Sequence, residues 1–358
     1  LDTVNPTTVS NITAELDLSK TLFLVSSKSG TTVEPLTLEA HFRAVMANTV
    51  GSSMNRKNFV ALTDPGTPLA DRARAGEFGT WVSTPVDVGG RFSALSTFGM
   101  MPAAAIGINI RAFAESAVRM AHRCQVDSTE NPGLALAAFL ASNALGGRDK
   151  VTLITSDEYS VFGMWVDQLL AESTGKNGKG LIPITGEPVL TLDDFASDRQ
   201  FVVLKSKNDD KRVNHTIFTL RNSDHPVFVI EPPTDDIHEI SGEFFRWQFA
   251  TTAASSLMDI YPFDQPDVES AKLKSRELIS DPSVAIEGIS LDAALDQIKS
   301  ESSPRYVAIT AFLPESPEVT AAFSELRKWV STQTGMATTF GYGPRYLHST
   351  GQLYKGGP

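Results

Sequence analysis

Apolar positions along this chain fall into two alternating patterns. Short apolar runs at residues 21–25, 58–63 and 80–83 are bounded by polar or turn-forming residues, as buried strands are. Between them, residues 33–47 and 69–75 carry apolar side chains at helical spacing, with Leu36, Leu38, Phe42, Val45 and Met46 as one buried stripe. The rhythm resumes with strands expected at 151–154, 180–185, 200–204 and 227–230 and helices at 160–171 and 242–258. Helices at 110–123 and 134–145 stand between these groups, the second opened by Asn131-Pro132-Gly133 and closed by Gly146-Gly147. The last third reads as helix 293–298, strand 306–312, helix 317–332 and strand 337–340. Residues 11–18 read as a short helix, and residues 205–213 as a charged, exposed loop. Strands alternating with helices predict an α/β fold of parallel sheets flanked by helices. The glycine pair at 146–147 marks the expected boundary between a first domain, 1–147, and a second, 148–358.

The sharpest change of pattern follows the first strand. The run Leu22-Phe23-Leu24-Val25 stops at Ser26-Ser27-Lys28-Ser29-Gly30-Thr31-Thr32, and a helix begins at once. A helix N-terminus presents unpaired N–H groups and the positive end of the macrodipole. Ser27, Ser29, Thr31 and Thr32 add hydroxyls, Lys28 adds a cation, and Gly30 lets backbone approach a ligand. This bend therefore suits a phosphate or another dianion. The plainer reading is that Thr31 or Thr32 caps the helix, although one cap needs only one hydroxyl. The glycine spacing is not that of a Walker A loop.

Composition narrows the choice of ligand. The 358 residues are 41% hydrophobic and 20% charged, with a net charge of −11 and no basic block. Nonspecific nucleic-acid binding and attachment to anionic membranes are disfavoured by that balance, so an anion would need a local pocket. Cys124 is the single cysteine, which precludes an internal disulfide and fits a reducing, cytoplasmic setting. No apolar run approaches the ~20 residues of a membrane span, and no Cys/His grouping has metal-ligand spacing. The chain opens on Leu1 and closes on Lys355-Gly356-Gly357-Pro358, both as if cut from a longer polypeptide.

Further candidates lie downstream. In Val88-Gly89-Gly90-Arg91-Phe92-Ser93 the glycine pair lets backbone come close to a ligand, and Arg91 would offer its planar fork to an oxyanion; a surface arginine after a flexible turn is the alternative. Glu172 falls at the end of a helix, where the dipole disfavours its charge and would tune it towards general-base work; a solvated loop residue is the alternative. In Tyr261-Pro262-Phe263-Asp264-Gln265-Pro266-Asp267-Val268-Glu269 the two prolines mark a rigid loop, and Lys272 follows within the first turns of a helix, either paired with Glu269 or on the surface. His348, among Ser349, Thr350 and Gln352, is the most site-like of the six histidines.

Taken together, the segments at 27–32, 88–93, 172–176 and 263–272 resemble, in order and spacing, the phosphate loop, first signature, catalytic-glutamate segment and second signature of phosphoglucose isomerases. The tail 341–358 is similar to the end of the isomerase half of bifunctional transaldolase/glucose-6-phosphate isomerases. The resemblance implies two sugar-isomerase (SIS) domains, each an α/β/α sandwich, with the site between them. It implies interconversion of glucose 6-phosphate and fructose 6-phosphate without a metal or cofactor. Carried over, Ser27, Lys28, Ser29, Thr31 and Thr32 would cradle the phosphate, with Gly90 and Gln265 against the substrate. Glu172 would be the C1/C2 base, Arg91 would stabilise the enediolate, and Lys272 and His348 would serve ring opening. The sequence departs from the pattern at Asp267, where glycine is usual, and at Ser29 and Gly30. The histidine expected after a glycine-glutamine pair has its nearest counterpart in His348, beside Gly351-Gln352. The resemblance also implies a homodimer and a transaldolase domain upstream of residue 1. A mannose-phosphate or dual-specificity isomerase and a noncatalytic sugar-phosphate-binding regulator are the competing readings.

Overall fold

The computed structural model describes the chain from Leu1 to Pro358, apart from residues 52–54, 189, 208–209, 281–287 and 301–305. Helix α1 (Pro6–Glu15) starts earlier than the apolar pattern indicated. Pro6 occupies the first helical turn, and the Asn5 side chain accepts from the N–H groups of Thr7 and Thr8. Then come β1 (Phe23–Ser26), α2 (Val33–Val50), β2 (Phe59–Thr63), α3 (Pro68–Arg74) and β3 (Thr80–Ser83). These strands form one parallel sheet in the order β1-β2-β3. Strand β2 is buried along its whole length, as a central parallel strand should be. Val25, Leu38, Phe42, Met46, Phe59, Ala61, Leu69 and Phe78 pack together around it.

Helices α4 (Thr97–Ala105), α5 (Ile110–Arg123) and α6 (Pro132–Leu145) lead to the second sheet. Its elements are β4 (Lys150–Thr155), α7 (Phe162–Thr174), β5 (Ile182–Ile184), β6 (Arg199–Leu204), α8 (Lys211–Arg221) and β7 (Val227–Ile230), in the parallel order β5-β4-β6-β7. Helix α8 corrects the expected loop, because its start falls inside the charged stretch. Asp210 caps it by accepting from the Val213 N–H, and Val213, Ile217 and Leu220 form a buried stripe among the charges. Helix α9 (Ile240–Leu257) packs on α5 and α6. Leu136 and Leu140 of α6 share one core with Val151 of β4, Leu169 of α7 and Trp247 of α9. The second core thus recruits a helix that precedes residue 147.

The chain ends with α10 (Pro266–Ser280), α11 (Leu291–Ser300), β8 (Tyr306–Ala311), α12 (Pro317–Thr334), β9 (Ala337–Tyr342) and α13 (Leu353–Gly356). Strands β8 and β9 form a separate parallel pair. Arg327 of α12 fastens this unit to the second sheet, donating to the Thr338 carbonyl at 2.7 Å and to the Gly186 carbonyl at 2.7 Å. The tail after β9 then turns back across the end of α7. No helix among the described residues is long and apolar enough to cross a membrane.

Candidate active site

Chain direction decides where the two chief parts of the site stand. The bend at residues 27–32 follows β1, so it lies at the carboxyl end of the first sheet, where open parallel sheets collect ligands. Glu172 occupies the last turn of α7. Since α7 links two parallel strands, it must run back, and its C-terminus returns to the amino ends of the second sheet. The two sheets therefore contribute opposite ends to one region.

Arg91 sits in a short 3₁₀ turn, Gly90–Leu95, that begins at the glycine pair. It is buried at 4% exposure, and each of its five N–H groups has an acceptor. Nε donates to Ser173 Oγ at 2.8 Å. Nη1 reaches Gln265 Oε1 and Glu172 Oε1, both at 3.1 Å. Nη2 donates to the carbonyls of Pro262 and Asp264. Arg91 is thus a buried hub, and the surface-arginine alternative does not hold.

Burial raises the Glu172 carboxyl above the ordinary glutamate range, opposed by Arg91, then Gln168, Lys176 and His348. Desolvation is the largest cause. Lys176, buried just beyond the end of α7, donates to the Tyr261 carbonyl at 2.6 Å and Asp264 Oδ1 at 2.7 Å. It pins the loop whose carbonyls hold Arg91.

His348 comes to the same cleft from the far end of the chain. Gln168, Glu172, Gln265, Val268, Leu347, His348, Ser349 and Gln352 line it. Gln168 Nε2 donates to Glu172 Oε2 at 3.2 Å and to the His348 carbonyl at 2.9 Å. His348 Nε2 lies 2.7 Å from Glu34 Oε1, in the first turn of α2. That contact connects the cleft to the helix that starts at the bend.

The bend stands beside the cleft, outside its lining. Thr32 occupies the N-cap position of α2 without capping it; its hydroxyl instead accepts from Ser27 Oγ at 3.0 Å. Ser29 and Thr31 hydroxyls pair at 2.9 Å. Lys28 Nζ is engaged by Asp64 Oδ1 and the Pro85 carbonyl, each at 2.8 Å. Gly30 has φ +65°, and a Cβ there would lie 2.9 Å from the Leu69 N atom. Close packing on α3 is therefore a reason for this glycine that the sequence argument lacked. Gly90 has open space around its Cα.

Lys272 falls within α10, but its side chain lies outside the described residues, as does that of Glu269. Sequence reasoning assigned no role to Gln168, Ser173, Lys176, Glu34 or Gln352. Gln168 had a signal, because it precedes Glu172 by one helical turn. Glu34 had none, since its partner His348 is remote in sequence, and Gln352 had only the likeness of Gly351-Gln352 to a glycine-glutamine pair.

A sequence model described as phosphoglucose isomerase matches residues 1–182. Glucose-6-phosphate isomerase of Heliobacterium modesticaldum is 30% identical over 314 residues, covering 76% of this chain and 69% of that protein. The Rubrobacter xylanophilus enzyme is 31% identical over 184 residues, covering 51% of this chain and 43% of its own. The chain thus spans from under half to about two thirds of the length of these relatives. Among solved structures, a hypothetical protein from Thermus thermophilus aligns with a TM-score of 0.70 at 23% identity, covering 78% of this chain and 77% of its own. A glucose-6-phosphate isomerase from Chlamydia trachomatis aligns at 0.62 and 19%, covering 82% and 65%. These two likenesses show the fold, parallel sheets flanked by helices.

Proposed function

Because the chain belongs to the phosphoglucose isomerase family, we propose that it is an aldose–ketose isomerase interconverting glucose 6-phosphate and fructose 6-phosphate. The observation that carries this reading is the pair of half-buried Glu172 and buried Arg91, 3.1 Å apart, at a cleft that His348 and Gln265 also line. Moving a hydrogen between C1 and C2 requires a base that takes a proton from one carbon and returns it to the other. Glu172, raised by burial yet ion-paired, is suited to that exchange. The enediolate formed between the two transfers carries negative charge on oxygen. Arg91 supplies a fixed cation beside it, an electrostatic contribution of about 3 kcal/mol per donor. With every N–H of Arg91 already engaged, an incoming oxygen would take over one Nη1 contact, from Gln265 or from Glu172.

His348, held by Glu34, is the group in the cleft able to pass a proton to a ring oxygen. The hydroxyls of Ser27, Ser29, Thr31 and Thr32, with the first N–H groups of α2, would take the phosphate. Lys28 would act from its place on Asp64, adding positive charge near the bend.

The test is turnover of fructose 6-phosphate by the Glu172→Gln variant, which keeps the shape and removes the base. A loss of ~10²–10⁴ in kcat is expected for a general base; wild-type turnover would rule it out. In the wild type, kcat/KM should fall as pH drops through a value above the ordinary 4.5 of glutamate, since only the carboxylate accepts the proton.

A further inference from the structure

Resting on that reading of Glu172 and His348, we propose that Gln352 is a positioning residue: with Asp267 it forms a clasp that holds the C-terminal tail against the end of α7. Gln352 is fully buried. Its Nε2 donates to the Gly175 carbonyl at 3.0 Å and to Asp267 Oδ2 at 2.5 Å. Its Oε1 accepts from the Asp267 N–H at 3.0 Å. One side chain therefore ties three segments that are far apart in sequence. Gly175 closes the helix that bears Glu172, Asp267 follows Gln265 at the start of α10, and Gln352 lies one turn beyond His348.

The seam around the clasp is close. A Cβ on Gly175 would stand 2.5 Å from Leu353 Cα, and one on Gly356 would stand 2.2 Å from Asp267 Oδ2. The Gly178 N–H donates to the Gly356 carbonyl at 2.8 Å, a second tie between the α7 end and the tail. Only because the tail is seated does the His348 carbonyl meet Gln168, and its ring meet Glu34. The charged groups facing Glu172 are Arg91, Lys176 and His348. Of these, His348 alone is delivered by the tail, so releasing the clasp withdraws one of the groups that offset burial of the base.

The experiment uses the full chain with fructose 6-phosphate, and compares Gln352→Glu and Gln352→Met with wild type and Glu172→Gln. Glutamate places an acceptor against both the Gly175 carbonyl and the Asp267 carboxylate. Methionine has similar length without hydrogen bonds, and serves if the glutamate variant does not fold. Misplacement of reacting groups should lower kcat about tenfold or more. The acidic limb of kcat/KM should also move to higher pH, because Glu172 loses the influence of His348. Adding Asp267→Asn to Gln352→Glu returns a donor to the pair and should recover part of the loss. A folded Gln352 variant with kcat within about twofold of wild type overturns the inference. So does a loss of activity with an unmoved acidic limb, which is what a merely structural contact would give. If Glu172→Gln is inactive while the Gln352 variants match wild type, this inference alone fails. If Glu172→Gln turns over normally, the base assignment falls and takes the clasp's role with it.

Discussion

The cleft around Arg91 and the bend beside it are built in opposite ways. Around Arg91 nearly every contact joins segments far apart in the chain: Ser173, Pro262, Asp264 and Gln265 all close on it from other elements. At the bend the hydroxyls pair with one another over a few residues, Ser29 with Thr31 and Ser27 with Thr32. A buried guanidinium whose donors are all engaged is rigid and intolerant, since removing it strands several acceptors. The exposed hydroxyls of Ser29 and Thr31, which pair with each other, can exchange that partner for an anion at little cost. The Arg91 cluster is set by the fold, whereas the hydroxyl pairs of the bend are set by local sequence.

Substitutions should separate the two. Arg91→Ala is expected to have the largest effect, a loss of ~10²–10³ in kcat. It should also lower stability by about 1–3 kcal/mol, because it strands the acceptors around the buried guanidinium and leaves half-buried Glu172 without its ion pair. Steady-state kinetics and urea unfolding measure both. Arg91→Lys should not restore turnover, since one ammonium cannot reach five spread acceptors; full rescue would break the contrast.

At the bend, Gly30→Ala should lower stability by ~1–3 kcal/mol, through its positive φ and the approach of Leu69, as read by thermal denaturation. Combining Ser29→Ala with Thr31→Val should raise KM for fructose 6-phosphate about tenfold while kcat stays within about twofold. A fall in kcat instead would mean that the bend shares in the chemistry and is not merely an anchor.

The smallest effect sharpens the comparison within a single helix. Asp167, also on α7, is half-buried and pushed up to about 7, chiefly by desolvation, with Thr185 and Arg327 opposing. Its native value exceeds the unfolded value of 3.8, so the native state binds the extra proton between them. Stability from this group should therefore decline as pH rises from about 4 to 7. Asp167→Asn lacks that dependence and should gain on wild type as pH is raised through this window, as measured by denaturation midpoints. A constant difference from about pH 4 to 9 would remove Asp167 as the cause.

Much of the fold was legible. Strand β3 and helix α5 fall where periodicity set them, and β1, β2 and β4 differ by a residue or two at their ends. Helix α8 was hidden because Lys211, Arg212 and Asn214 mask a narrow apolar stripe. Of the site, the hydroxyl bend, Arg91, Glu172, Gln265 and His348 could all be singled out, because each stands beside a local break in pattern. The cause of the Glu172 shift could not, since burial comes from a loop and a tail that are remote in sequence.

What the sequence determined by itself is everything governed by neighbours along the chain. Strand and helix periods, the caps at Asn131-Pro132 and Thr67-Pro68, and the clustered hydroxyls after β1 all belong here. Tertiary structure alone decided that His348, near the end of the chain, meets Glu34 in the first turn of α2 and so ties the cleft at the end of α7 to the helix that follows the bend. It alone decided that Lys28 is held by Asp64, and that a glutamine near the last residue seals the end of α7. The reason is physical: periodicity records which face of an element is apolar, while pairing between buried polar groups depends on where distant segments end.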